Sequence, residues 1–170
     1  MDSRLAALER WLRARFPDET FTLTPASEDA SFRRYLRASF AGGRTFVAMD
    51  APPSKEDCRP YLHVAAQFSA AGVHVPRIDA QDLEQGFLLL EDLGDTTYLE
   101  RLSAGSAKEL YAAATDALVR IQLASRPAIL PEYDRALLER ELRLFPDWYL
   151  ARELRMEPSA ERSRVLEAAF

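Results

Sequence analysis

Cysteine is nearly absent. Cys58 is the only one in 170 residues, so no intrachain disulfide and no thiolate metal cluster can form within the chain. Lysine is almost as scarce, found only at Lys55 and Lys108, and arginine carries the rest of the positive charge. There is no basic excess: the net charge of −5 gives no electrostatic case for a nucleic-acid partner. No apolar run approaches the roughly 18 residues of a membrane span. The opening "MDSRLAALERWLRARF" lacks the basic-then-apolar order of a secretion signal. The two histidines, His63 in a helical pattern and His74 in a loop, do not suggest a metal pair. These absences predict a soluble, cytoplasmic protein with no nucleic-acid or membrane partner, and no metal ligands are read in the chain.

A composition of 48% hydrophobic and 29% charged residues suits one domain with a core, or a small domain plus part of another. Ser3 is a candidate cap for a helix whose apolar face is Leu5, Leu8, Leu12 and Phe16, stopped by Pro17. "TFTLTP" alternates as a half-buried strand, and "ASEDAS" breaks it. "FRRYLRASF" puts Phe32, Arg34, Leu36 and Ala38 on one face and Arg33, Tyr35 and Arg37 on the other. "AGGR" is a hairpin turn and "TFVAMD" a third strand. Ser54 is read as capping a helix that runs to Gly72, with Cys58 more plausibly buried than reactive. "VPRIDA" and "GFLLLED" read as two more strands, and from Thr96 the pattern is wholly helical.

Three hairpin-linked strands, a helix and two more strands predict an α+β fold with a largely antiparallel five-stranded sheet and one helix packed on it. The composition shifts at "LEDLGD", which predicts a mixed first part over 1–92 and a helical second part over 93–170.

Four stretches in this order carry a resemblance: "DASFRRYLR", "MDAPPSKEDCRPYL", "GFLLLEDLGDTTYL" and "LLERELRLFPDWYL". Together they resemble the aminoglycoside phosphotransferase family, kinase-like enzymes that phosphorylate small molecules with ATP. The nearer look-alike is its branch of bacterial anomeric kinases for N-acetylmuramate and N-acetylglucosamine in cell-wall recycling. The resemblance implies a kinase-like small lobe, a hinge and the first helices of the large lobe. It also implies γ-phosphoryl transfer from Mg-ATP to a sugar hydroxyl, the anomeric one in that branch. The family's His-x-Asp-x-x-x-x-Asn loop and metal-binding Asp motif have no match here. The expectation is therefore an N-terminal part of a longer enzyme, inactive alone, with no catalytic residue in these 170 and the magnesium ligands elsewhere. The alternative is a non-catalytic kinase-like module that binds nucleotide or a partner. Unfilled apolar faces over 125–170 make self-association a further expectation.

The resemblance also assigns residues. Ala30 and Ser31 form the tip of a phosphate-covering loop, and Arg33 or Arg34 pairs with phosphate; the plainer reading is a polar hairpin loop with solvated arginines. Leu90 precedes the hinge, Glu91 and Leu93 offer backbone contacts to adenine, and Gly94 lets the chain turn. The strand position that usually carries a lysine falls at Met49 or Asp50. Three accounts remain open: an arginine of the second strand substitutes, which is preferred; Lys55 reaches back; or Asp50 holds an arginine. Glu56 or Asp57 is a less favoured stand-in for the lysine's helix partner, beside the plainer reading of a helix start. In "YDRALLERELRLFPDWYL", Glu141 is a candidate for sugar hydroxyls, and Trp148 or Tyr149 for covering a sugar face. Against that stands an amphipathic helix with Leu138, Leu142 and Phe145 in a core and a break at Pro146.

Overall fold

The computed structural model describes residues 2–27, 31–157 and 159–170. The chain forms two compact units, Met1–Ala124 and Ser125–Phe170.

The first unit is built on a fully antiparallel sheet of β1 (Phe21–Ser27), β2 (Arg34–Phe40), β3 (Thr45–Asp50), β4 (Ile78–Asp82) and β5 (Phe87–Glu91). The strand order is β1-β2-β3-β5-β4, so β3 is central and β1 and β4 are the edges. β2 and β3 join through a tight turn at Ala41–Gly43, where Gly42 and Gly43 take φ of 81° and 85°, a region closed to most side chains. The sheet topology is the expected one, α+β and kinase-like in its small lobe.

One expectation changes: helices cover both faces of the sheet. α1 (Ser3–Arg15) lays Leu8 and Leu12 on Ala48, Phe87 and Leu89. Each of those leucines is fully buried and contributes roughly 1.5–3 kcal/mol. α2 (Arg59–Ala70) covers the other face, where Tyr61 and Leu62 pack on Met49, Ala51, Cys58, Leu88 and Leu90. β5 is apolar at every position from Phe87 to Leu90 because it is buried from both sides.

Both helix starts differ from the sequence reading. Asp2, not Ser3, caps α1, its carboxylate accepting from the Arg4 and Leu5 N–H groups at 3.0 and 3.2 Å. α2 begins at Arg59, not at Ser54. The amides of Lys55 and Glu56 donate to the Pro52 carbonyl and close a separate turn, and Asp57 accepts from the Arg59 N–H at 2.9 Å.

α3 (Tyr98–Arg101) opens on a capping box between Thr97 and Glu100, and α4 (Ala107–Ala124) completes the first unit. In the second unit, α5 (Arg135–Leu144) is capped by Asp134 and runs directly into a π-helical segment, Phe145–Glu153, followed by α6 (Ala160–Ala169). Pro146 therefore does not break the helix. It sits where the α-helical pairing of α5 gives way to the wider π segment, so its missing N–H falls at the change of pairing. After Leu90 no described residue is buried as a whole, backbone included. Leu138 and Phe145 are about half exposed rather than in a core, while Phe145 stacks on Tyr149 at 5.5 Å between centroids.

Candidate functional site

Strand alternation sorts the candidate residues by face. Arg34 pairs in register with Asp50, and Asp50 with Phe87, forming a row under α1. Tyr35, Met49 and Leu88 form the next row on the opposite, α2-covered face. Arg37, Val47, Leu90 and Ile78 form a further row on that face.

The two adjacent arginines are thereby separated. Arg34 is spent on carboxylates: its Nε donates to Asp50 at 3.1 Å, and its guanidinium also pairs with Asp2. Asp50 is fully buried and takes a second guanidinium, Arg4 of α1, whose Nε lies 3.0 Å away. Arg4 continues to the Gln85 carbonyl at 2.7 Å and lies 4.6 Å over the Phe87 ring. The Arg34 hydrogen bond holds the Asp2 carboxyl down at about 2. Of the three accounts of the missing lysine, the geometry is that of Asp50 holding arginines. Met49 faces the other way and is buried among apolar groups. Lys55 does not reach back to the strand; its ammonium sits 5.4 Å over the Phe32 ring.

Arg33 lies at the α2 end of the sheet. Its guanidinium meets Glu56 at 3.3 Å, and Glu56 also accepts from the Phe32 N–H at 3.3 Å. Burial weakens the Arg33 charge, but the hydrogen bond to Tyr35 and the Glu56 carboxylate outweigh it and hold its pKa above the ordinary arginine value. A groove of about 420 Å³ runs beside it, lined by Arg33, Tyr61, Val64, Phe68 and Val75 among others. Ser31 accepts from the Arg33 N–H at 3.1 Å, which fixes the entry to β2. Ala30 lies outside the described residues.

At the other end of this face β5 gives way to the turn Asp92–Asp95. Leu90 is buried beneath it and Leu93 is half exposed. The Glu91 N–H is already given to the Arg77 carbonyl at 2.8 Å, and its carboxylate accepts from the Arg77 N–H at 3.1 Å. Arg37 reaches the turn from β2, with its Nε 2.6 Å from Asp92. That bond, ahead of the Gly94 N–H and the Thr45 hydroxyl, lowers the Asp92 carboxyl to about 2. Arg37 and Asp92 were not among the expected site residues, although the placement of Arg37 beside Tyr35 on one face was legible.

Glu141 and Trp148 both belong to the second unit. Glu141 pairs with Arg140 at 3.2 Å, and Trp148 is covered on one side by the Arg152 guanidinium at 4.0 Å. Burial raises the Cys58 thiol's pKa, which removes the thiolate reading. Among the described residues no group of three or more His, Cys, Asp or Glu is gathered to hold a metal ion.

An antiparallel five-stranded sheet between two helices, one face ending in an acidic Gly-containing turn, is the small lobe of a kinase-like phosphotransferase. The chain belongs to the phosphotransferase enzyme family, whose sequence profile matches residues 22–170. It is 53% identical to an N-acetylmuramate/N-acetylglucosamine kinase of Pseudomonas aeruginosa, over 94% of this chain and 50% of the relative. Kinases of the same name from Pseudomonas putida and Neisseria meningitidis are 50% and 44% identical, over 90% and 91% of this chain and 48% and 47% of theirs. The chain thus spans about half the length of the curated relatives it matches.

Proposed function

We propose that this chain is the nucleotide-binding part of an ATP-dependent sugar kinase. Its whole protein would transfer the γ-phosphoryl group to the anomeric hydroxyl of N-acetylmuramate or N-acetylglucosamine. One observation carries the reading: a single sheet face bears Arg33 at one end and the Asp92–Asp95 turn at the other, with the partly buried, apolar Val47 between them. Such a face offers an anion partner, a flat apolar floor and backbone polar groups, which are the needs of phosphates and a purine.

In this reading Arg33 and the Ser31 backbone hold phosphate, while Leu93 and the Glu91 carbonyl meet adenine. Arg34 acts through Asp50 and not on the ligand. The lobe boundary lies at Asp92–Leu93. Magnesium would be held by residues other than those described, and Glu141 and Trp148 would contribute to the sugar site. Use of ATP fits a cytoplasmic protein, and no helix among the described residues is long and apolar enough to cross a membrane. Leu99 and Leu123, each 82% exposed, favour self-association of the isolated chain, which sedimentation at increasing concentration would reveal.

The test is turnover by the whole protein with Mg-ATP and each sugar, followed by ADP release and by phosphorus NMR of the product. Sugar-dependent ADP release with an anomeric phosphate supports the proposal. Transfer to another hydroxyl, or none to either sugar, contradicts it.

A further inference from the structure

We propose that Arg37 is a positioning residue that holds the turn after β5 in its working shape; this rests on the reading of that turn as the nucleotide's anchor. Arg37 starts on β2, two strands from β5, and reaches across Val47 to the exit of the sheet. Its Nε donates to Asp92 Oδ2 at 2.6 Å and its Nη2 to Asp92 Oδ1 at 3.1 Å, a two-point fork that fixes the carboxylate's plane as well as its place. The same Nη2 meets Asp95 Oδ1 at 2.6 Å.

Asp92 passes the constraint to the backbone. Its Oδ1 accepts the Gly94 N–H at 2.9 Å, closing the turn in which Gly94 takes a φ of 84°. The Thr45 hydroxyl donates to the same carboxylate from β3. One carboxylate thus joins β2, β3 and the turn.

This is not an ordinary solvated ion pair, because the Asp92 side chain is 5% exposed and that of Arg37 is 18% exposed. Without Arg37, Asp92 would stay desolvated with its charge unmatched and Asp95 close by. Opening the turn to water would relieve both. Leu93, inside this turn, would then lose its fixed distance from Leu90 on the sheet.

The test uses the full chain with Arg37→Ala and Arg37→Lys, and with Arg44→Ala as a control. Arg44 pairs with Glu19 on the α1 side. NMR-detected exchange reads the Gly94 amide, and calorimetry reads ADP binding. In Arg37→Ala the Gly94 amide should exchange about tenfold faster or more, while Met49 and Leu89 amides keep their protection. ADP should bind about tenfold more weakly, with Arg44→Ala unchanged. Arg37→Lys should recover only part of both effects, since an ammonium cannot form the fork. Unchanged Gly94 exchange in Arg37→Ala, or faster exchange spread evenly over the sheet, overturns the positioning role. If the unaltered chain binds no ADP, the nucleotide reading of the turn fails. The assigned use of Arg37 then fails with it, whatever the exchange shows.

Discussion

Arg34 and Asp50 stand opposite each other across β2 and β3, and Arg4 of α1 closes on the same carboxylate. Asp50 therefore binds the first helix to the centre of the sheet. Its two partners remain partly solvated, with side chains 29% and 43% exposed, so removing Asp50 strands charges that water can still reach. Asp50→Asn should cost about 2–3 kcal/mol, less than a fully buried broken pair. Arg34→Ala, which leaves Arg4 in place, should cost less. Urea unfolding measures both, and a neutral Asp50→Asn would show that the arginines are indifferent to this carboxylate.

Gly86 sits at the entry to β5 with a φ of 72°, its carbonyl accepting the Ala51 N–H at 2.9 Å. A Cβ there would lie 1.9 Å from the Ala51 carbonyl oxygen, which is backbone and cannot step aside. Gly86→Ala should destabilise by more than about 3 kcal/mol, or prevent folding. Gly42→Ala, at similar φ but with nothing within 4 Å, should cost only about 1 kcal/mol. Comparable denaturation midpoints for the two variants would contradict the close-approach argument.

Asp92 titrates at about 2 in the fold against an ordinary 3.8. A depressed carboxyl binds its proton more weakly when folded, so its stabilisation is complete above pH 4 and fades as pH falls from about 4 to 2. Unfolding followed across that window should show Asp92→Asn losing less stability on acidification than the parent chain. Parallel acid profiles would mean that Asp92 is not held by Arg37 in solution.

The sheet was legible because β1 and β2 carry a period-two signal and β5 a short unbroken apolar run, and "AGGR" could hardly be anything but a turn between two strands. The helix starts were less so: Ser3 and Ser54 have the right side chain, but Asp2 and the Pro52 turn outcompete them locally. The face assignment of Arg33, Tyr35 and Arg37 followed from alternation alone. Which arginine is held by Asp50 did not follow, because Arg34's partners, Asp2 and Asp50, are 32 and 16 residues away. The Arg37–Asp92 link spans 55 residues and likewise leaves no local pattern. The outer helices read correctly as helices, yet their apolar faces are exposed, and periodicity cannot report what covers a face.

The most direct measurement is calorimetric titration of the chain with ADP and ATP, with GTP as control, on the parent, Arg33→Ala and Arg34→Ala. The account predicts adenine-nucleotide binding by the parent, weakened about tenfold or more in Arg33→Ala and little changed in Arg34→Ala. Equal loss in both variants, or no binding by the parent chain, would contradict a nucleotide site on the α2-covered face.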